Sequence, residues 1–428
     1  MKMRTPILAW AFYDWANSAF ATCVMAGFFP VFFKQYWCAG METGASTFRL
    51  GLANSIGSLI IIILAPLLGA ISDQAGGRKP FLFFFTIIGA AMSGLLFFVP
   101  QGDWLSAFFL YIGGIIGFSG GIVFYDALLV TIAAPTESDR VSALGYALGY
   151  LGGGLIFALH VAATIRPDLF GLDDAGQAVR ISFLSVAFWW IGFALPLMRW
   201  VPDTATARRK NLIAATRDGI GQLILTGRDI AAARVVLVFL AAYWLYIDGL
   251  DTIVRMAVDY GLALGFSSTD LILALLITQF VGFPAALVFG RLGERFGTRR
   301  SILVGIGVYL LVTIWAMFMK TVGEFYLMAA TIGLVQGGVQ SLSRSLYSRL
   351  IPAGKAAEFF GFYNMLGKFA AVIGPGLMGV ISLLTGSARL SLLAVILLFV
   401  GGGILLLFVD EQEGIRLARR LDETTGTQ

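Results

Sequence analysis

The sequence predicts an all-α polytopic membrane protein: twelve transmembrane helices in two pseudo-symmetric six-helix bundles, with both termini cytoplasmic. Three observations predict this class. Of the 428 residues, 58% are hydrophobic and 13% are charged, whereas a soluble domain carries about a quarter of its residues charged. Apolar runs of about 20 residues, each long enough to cross a hydrocarbon core of about 30 Å, recur along the chain. A short charged loop is also present twice, about half a chain apart.

The two charged loops share one pattern, which predicts two similar halves. Each loop has a glycine at a predicted helix end, an acid four residues later, another glycine three residues after that, and two closing basic residues. In a membrane chain, two like halves are typical of secondary transporters, whose site lies between the halves near mid-membrane. The predicted gating residues of the two loops are Gly69, Asp73, Arg78, Lys79, Gly290, Glu294, Arg299 and Arg300.

Charge and cysteine usage agree with a membrane protein. The basic residues fall mainly on every second connection, which places both termini in the cytoplasm and requires an even number of spans. The pI of 9.2 therefore reflects topology, and we expect no nucleic-acid partner. Cys23 and Cys38 lie 15 residues apart on one predicted helix, a rise of about 22 Å, so they cannot form a disulfide. The apolar run from Ile7 is too long for a signal peptide, so the first helix should stay in the mature protein.

Apolar runs and turn residues place the twelve predicted helices along the chain. They lie at about residues 7–37, 50–71, 80–99, 104–130, 141–165, 180–197, 235–260, 270–289, 301–319, 325–348, 359–384 and 390–408. We therefore predict an N-terminal bundle (1–200), a cytoplasmic linker with a possible amphipathic helix (201–233), a C-terminal bundle (234–410) and a cytoplasmic tail (411–428). The linker is expected to have no chemistry of its own, and the polar tail to be partly disordered.

Helices 1 and 2 carry the first candidate polar groups. Tyr13, Asp14 and Asn17 lie in the inner part of helix 1, and Asp14 and Asn17 share one face. An aspartate within the membrane costs about 2.5–3.5 kcal/mol on insertion scales, so Asp14 should face protein or a wet cavity, the alternative being a helix-packing hydrogen bond. At the end of helix 2, Asp73 is placed to act as an anion near a facing helix N-terminus, while Arg78 and Lys79 should anchor the loop at the headgroups.

Helices 4 and 5 contain a pattern that can mark a hydrolase. Ser119 lies in a Gly-x-Ser-x-Gly sequence of helix 4, and helix 5 holds the only histidine of the sequence, His160. Their depths along the two helices differ by about 15 Å, which argues against a catalytic dyad and favours glycine-rich helix packing. His160 is then either a packing residue or a proton carrier. Tyr125 and Asp126 lie towards the cytoplasmic end of helix 4.

Helices 7, 10 and 11 carry polar stripes. On helix 7, Asp248, Asp251 and Arg255 share one face and Asp251 can pair with Arg255, so this stripe predicts either a gating or substrate role or a static ion-pair network. Helices 10 and 11 show further polar residues at i, i+4 spacing. The remaining candidate site residues of these three helices are Tyr246, Gln336, Gln340, Arg344, Tyr363, Asn364 and Lys368.

The doubled loop and the 6+6 plan resemble the major facilitator superfamily, whose loop between its second and third helices has the form Gly-x-x-x-Asp-x-x-Gly-Arg-Lys. This chain departs slightly from that form, with Gly77 before Arg78 in the first copy and with Glu294 in place of the aspartate in the second. The chain is also similar, over nearly its whole length, to the vacuolar-effluxer branch, which contains the fungal autophagy-related amino-acid exporter. The segments that carry this similarity are Tyr13–Phe20, Gly145–Tyr150, Tyr246–Gly249, Gln336–Ser345 and Phe360–Asn364.

The resemblance implies a function and different roles for two sets of helices. Helices 1, 4, 7 and 10 should line the cavity, and helices 2, 5, 8 and 11 should form the interface that rocks. We expect rocker-switch transport of a small solute, with a proton as coupling partner, a zwitterion such as an amino acid as substrate, and efflux as direction. No enzyme activity or cofactor is expected, and the protein should act as a monomer in contact with lipid in a bacterial cytoplasmic (inner) membrane. The alternatives are a lipid-handling or receptor-like protein on the same fold and, as a minor one, an intramembrane serine hydrolase.

Overall fold

The computed structural model describes residues 4–75, 77–203, 212–385 and 388–426, with some side chains inside these ranges left out. Within them, the regular structure is helical and contains no strand. The membrane helices of the first half are α1 (Thr5–Trp37), α2 (Thr43–Ala75), α3 (Lys79–Leu95), α4 (Trp104–Ile132), α5 (Ser138–Ile165) and α6 (Ala175–Trp200). The long helices of the second half are α7 (Arg234–Ala263), α8 (Ser268–Phe296), α9 (Thr298–Ala316), α10 (Val322–Leu350), α11 (Ala356–Thr385) and α12 (Ala388–Leu407).

A helix lies at each of the twelve predicted positions, and several extend beyond the predicted ends. In the described part of the chain, eleven are long and apolar enough to span a membrane, so the number of twelve spans stays a prediction. The early starts of α8 and α10 have a local cause. Ser267 and Thr321 form capping boxes with Asp270 and Glu324, which satisfy backbone N–H groups before the apolar pattern begins.

Two further helices lie outside the apolar spans. Leu212–Ala232 forms the connecting helix between the halves, and Glu411–Gly426 forms the C-terminal helix. The expectation of a partly disordered tail is wrong for the described residues. The Glu411 carboxylate pairs with Arg349 at 2.9 Å, and a Cβ at Gly414 would lie 2.3 Å from the Leu350 side chain, so the C-terminal helix packs closely on the end of α10.

The chain forms two compact units. Unit 1 consists of Met1–Ile61, Lys79–Ile122 and Leu148–Val201. Unit 2 consists of Ile62–Arg78, Val123–Ala147 and Pro202–Gln428. Unit 2 therefore contains the helices of the second half together with one end of α2, α4 and α5, namely the end that the charge distribution assigns to the cytoplasm. The predicted domain boundaries at residues 200 and 234 stay a prediction.

Unit 1 contains several stacked pairs of aromatic side chains. Phe29 and Tyr111 stack with ring centroids 3.8 Å apart, and Trp15 stacks on Trp189 at 5.7 Å.

Both Cys23 and Cys38 are buried free thiols. The α1 backbone widens into π-helix at Phe20–Phe28 and Phe33–Trp37, a geometry that is often found at functional sites.

Candidate functional site

A buried ion pair in unit 2 joins the two halves of the sequence. Arg344 of α10 and Asp126 of α4 are 2% and 4% exposed, and the Arg344 Nη1 donates to the Asp126 Oδ1 at 3.1 Å. Asn364 of α11 donates to the other oxygen of Asp126 at 3.2 Å. A buried ion pair is stable only if further hydrogen bonds satisfy its remaining polar atoms, and this pair meets that condition.

The Arg344 guanidinium also attaches α10 to α5. Its Nε donates to the Ser142 Oγ at 2.9 Å and its Nη2 to the Ser142 carbonyl oxygen at 2.9 Å, while the Ser142 hydroxyl donates to the Ser341 carbonyl oxygen. The guanidinium lies 4.5 Å from the ring centre of Tyr146 and 5.2 Å from that of Tyr125, within the range of a cation–π contact. One cation therefore links three helices.

This ion pair lies close to the predicted cytoplasmic end of the helices. Asp126 and Arg344 are each six residues from the end of their helix, or about 9 Å at 1.5 Å per residue. Asp248 on α7 and Gln336 on α10 lie near the middle of their helices instead. The predicted site residues thus fall at two depths, one at the cytoplasmic end and one at mid-helix.

A second buried network lies at the same end, and sequence reasoning missed it. The Asp139 carboxylate at the start of α5 accepts hydrogen bonds from the hydroxyls of Ser345 and Thr298 at 2.6 and 2.7 Å and pairs with Arg349 at 3.1 Å. Arg349 also pairs with Glu411 of the C-terminal helix. The sequence offered only a weak signal, since Asp139 lies in a short polar connection beside Glu137 and Arg140.

The first charged loop forms a third contact between the halves. The Asp73 Oδ1 accepts from Arg78 Nε and Nη2 at 3.1 and 3.0 Å, and its Oδ2 accepts from the Glu358 backbone N–H at 3.0 Å. Glu358 lies in the first turn of α11, so the prediction of an anion near a facing helix N-terminus is confirmed. The predicted place of Arg78 at the headgroups is wrong. Arg78 is 2% exposed and donates to the carbonyl oxygens of Ala127 and Ala353, because the interhelical backbone offers acceptors there.

Two glycines allow the backbones of α2 and α11 to touch. A Cβ at Gly69 would lie 2.1 Å from the Ala357 carbonyl oxygen, and one at Gly361 would lie 2.6 Å from the Pro66 Cα. Because the obstructing atoms belong to the backbone, no rotamer change could make room. Lys79, which opens α3, donates to the Val201 carbonyl oxygen at 2.8 Å.

The second charged loop is built differently from the first. A Cβ at Gly290 would lie 2.6 Å from the Ala143 Cβ, so α8 approaches α5 closely there. Arg299 donates to the carbonyl oxygen of Val409 at 2.6 Å. Glu294 and Arg300 are exposed, whereas the Asp73 side chain is 4% exposed and hydrogen-bonded to Arg78 and Glu358. The two loops are therefore similar in sequence and different in contacts.

The predicted residues of α1 lie in unit 1. The Tyr13 hydroxyl shares a 2.9 Å hydrogen bond with the Thr86 hydroxyl of α3, and Asp14 is half-buried. Asn17 is 1% exposed, and its Nδ2 has no acceptor among the described residues. Within the described residues, the Asn17 amide is therefore an unsatisfied donor on α1.

The predicted residues of α7 lie in unit 2 and face several neighbours. The Tyr246 hydroxyl shares a 2.7 Å hydrogen bond with Ser343. Asp248 is 1% exposed, and its Oδ1 accepts from the Gly374 backbone N–H at 2.8 Å and from Thr252 at 3.4 Å. Within the described residues Asp248 has no ion-pair partner. Asp251 is half-buried, and the side chain of Arg255, its predicted partner, lies outside the described part.

The remaining candidates lie on α10 and α11. Gln336 and Gln340 are half-buried, and the Gln336 Oε1 has no donor among the described residues. The Tyr363 ring stacks on Tyr243 with centroids 4.0 Å apart. Lys368 is half-buried. Their role as solute-contacting residues stays a prediction.

The geometry does not assemble a serine hydrolase. His160 Nε2 is hydrogen-bonded to the Ser185 hydroxyl at 2.7 Å, and the Ser119 hydroxyl has no partner in the described part of the chain. A nucleophile needs a base within hydrogen-bonding distance. The Gly-x-Ser-x-Gly sequence is therefore a packing feature, since a Cβ at the neighbouring Gly117 would lie 2.4 Å from the Gly89 Cα.

Comparison with known proteins decides the family. The model of the "vacuole effluxer Atg22 like" family matches residues 37–419. The chain belongs to the Atg22-like family. It is 36% identical to the uncharacterized MFS-type transporter YxiO of Bacillus subtilis over 97% of both chains. It is 24% identical to autophagy-related protein 22 of Coccidioides immitis, covering 98% of this chain and 89% of that protein.

Solved structures show the same fold. The human organic anion transporter MFSD10 superposes with a TM-score of 0.74 at 15% identity, covering 94% of this chain and 99% of that one. The proton:xylose symporter XylE superposes with a TM-score of 0.71 at 14% identity, covering 97% and 98%. Together, the family match and the 36% identical relative identify this Atg22-like chain as an integral membrane transporter of the major facilitator superfamily rather than an enzyme.

Proposed function

We propose that this protein is a secondary active transporter that moves a small solute by rocker-switch alternating access. The observation that carries the proposal is the buried Asp126–Arg344 pair, which joins α4 of the first half to α10 of the second near the cytoplasmic end. Opening this end requires the pair to separate. The exposed carboxylate and guanidinium then need new partners, because unpaired charges in a poorly hydrated site are costly.

A zwitterion fits this requirement better than a neutral or singly charged solute. Its ammonium can meet Asp126 and its carboxylate can meet Arg344, so binding offsets the separation of the pair. An amino acid or a related zwitterion is therefore the favoured substrate class. Efflux is the favoured direction, with the solute taken from the cytoplasm by a monomer in a bacterial cytoplasmic membrane; the family's name, vacuole effluxer, supports this direction.

Asp248 is the proposed carrier of the coupling proton. It is a buried carboxyl at mid-helix that accepts two hydrogen bonds and has no ion-pair partner among the described residues. If the carboxyl gains a proton in one facing state and loses it in the other, proton movement is linked to the conformational change. Asp14 on α1 is the second candidate for this role.

Transport by the purified protein in proteoliposomes tests the proposal. We expect counterflow of one or more amino acids, and accumulation against a gradient when a pH difference is imposed. Asp248→Asn should keep counterflow and lose pH-driven accumulation. Asp168→Asn is the matched control, because Asp168 lies in an exposed connection where hydrogen bonds from Arg166 lower the pKa of its carboxyl, and it should behave as wild type.

Two results would contradict the proposal. Unchanged pH-driven accumulation by Asp248→Asn would remove Asp248 as the proton carrier. Absence of counterflow for every amino acid, together with exchange of lipid between vesicles, would favour the lipid-handling alternative.

A further inference from the structure

We infer that the connecting helix, Leu212–Ala232, stabilises the closed form of the cytoplasmic gate. The cytoplasmic gate is the end at which Asp73 of α2 contacts Glu358 of α11 and Asp126 pairs with Arg344. The inference rests on the alternating-access part of the proposed function. The connecting helix touches both α2 and α11 in unit 2, and these two helices belong to different halves of the sequence. A segment that contacts both α2 and α11 stabilises the conformation in which these two helices are in contact.

The strongest contact is a buried acid on α11. Glu358 is 1% exposed, and its carboxylate accepts a short hydrogen bond from the hydroxyl of Thr226, which is fully buried on the connecting helix. Gln222, one turn earlier on the connecting helix, also hydrogen-bonds this carboxylate. The connecting helix therefore supplies hydrogen bonds that a buried acid needs.

The same residue, Glu358, ties the connecting helix to the charged loop. Its backbone N–H donates to Asp73 of α2, while its side chain faces Thr226. Asp73 is in turn held by Arg78 at 3.0 Å. One turn of α11 is thus bound from one side by α2 and from the other by the connecting helix.

Two further contacts fix the connecting helix in place. Asp229 pairs with Lys355, just before α11, at 3.0 Å. A Cβ at Gly219 would lie 3.2 Å from the Ile71 backbone nitrogen of α2, so the connecting helix packs directly on the α2 backbone. Its opposite face is solvent- or lipid-accessible, with Ile224 61% exposed. Among the described side chains of the connecting helix, Gln222, Thr226 and Asp229 thus make their contacts on the side that faces α11 or Lys355.

These contacts predict that weakening the attachment of the connecting helix favours the open form. If α2 and α11 separate when the cytoplasmic end opens, the connecting helix cannot keep both Ile71 and Glu358 as neighbours. Opening therefore requires it to release at least one of them. Weakening its contacts should raise the population of the open form, and a single lost hydrogen bond of about 1 kcal/mol corresponds to about a fivefold change in that population.

The test measures how fast a buried thiol near the gate is labelled. Ser348, 7% exposed near the end of α10, is replaced (Ser348→Cys) in a protein whose two native cysteines are changed to alanine. A membrane-impermeant maleimide is applied to the cytoplasmic side without any solute. Thr226→Val and Asp229→Asn should each speed labelling about fivefold, whereas Ile224→Ala, on the exposed face, should leave the rate unchanged.

A charge swap keeps the test valid if single variants are poorly folded. Asp229→Lys combined with Lys355→Asp should restore the slow labelling that either single change loses. Asp73→Asn is the positive control, because it should be labelled faster than wild type. If it is labelled faster while Thr226→Val and Asp229→Asn are labelled at the wild-type rate, the inference is overturned. The readout needs no transported solute, so failure of the zwitterion or proton proposals would leave it interpretable.

Discussion

The Asp126–Arg344 pair gives the sharpest quantitative prediction. Asp126→Asn keeps the side-chain shape but leaves the Arg344 guanidinium, 2% exposed, without its counter-ion. Removing one partner of a buried pair costs about 3–5 kcal/mol. The hydrogen bonds from Arg344 to Ser142 remain, so we expect a loss near the lower limit, about 3 kcal/mol in the free energy of unfolding.

Arg344→Gln should be similarly destabilising, because it removes the guanidinium that pairs with the buried Asp126 carboxylate. The double variant Asp126→Asn/Arg344→Gln has no unpaired charge. It should therefore be more stable than the sum of the single losses predicts, with a coupling energy of at least about 2 kcal/mol.

The assay is reversible unfolding of the four proteins by SDS titration in mixed micelles, monitored by tryptophan fluorescence. The exposed pair Arg166–Asp168, 60% and 61% exposed, provides the matched control cycle, and its two single losses should add because water screens an exposed pair. If the losses at Asp126 and Arg344 add within about 0.5 kcal/mol, the two groups do not stabilise each other and the proposed gate pair is refuted.

Two further predictions concern the contact between α2 and α11. Gly69→Ala should abolish transport because its Cβ would lie 2.1 Å from the Ala357 carbonyl oxygen, whereas Gly51→Ala in the same helix meets nothing within 4 Å and should transport normally in the same initial-rate assay. Asp73→Asn should weaken the anionic contact at the start of α11 by about 2 kcal/mol and speed maleimide labelling of Ser348→Cys about 30-fold; an unchanged rate would show that this contact does not hold the gate.

The sequence alone determined much of the architecture. Apolar run length located the helices, since a span needs about 20 residues. Helical periodicity placed Asp248 and Asp251 on one face of α7, because residues three and four apart are neighbours on a helix. The position of Asp73 at the end of a predicted helix was enough to expect a facing helix N-terminus, and Glu358 provides it.

Only the tertiary structure decided which charges meet. Asp126 and Arg344 are 218 residues apart in the sequence, and Asp139 and Arg349 are 210 apart, so no local pattern could pair them. The same limit made Arg78 look like a headgroup anchor, although packing surrounds it with backbone carbonyl groups. Helical periodicity determines what shares a face of one helix, whereas the partner of a buried charge depends on how distant helices pack, and that is a property of the folded chain.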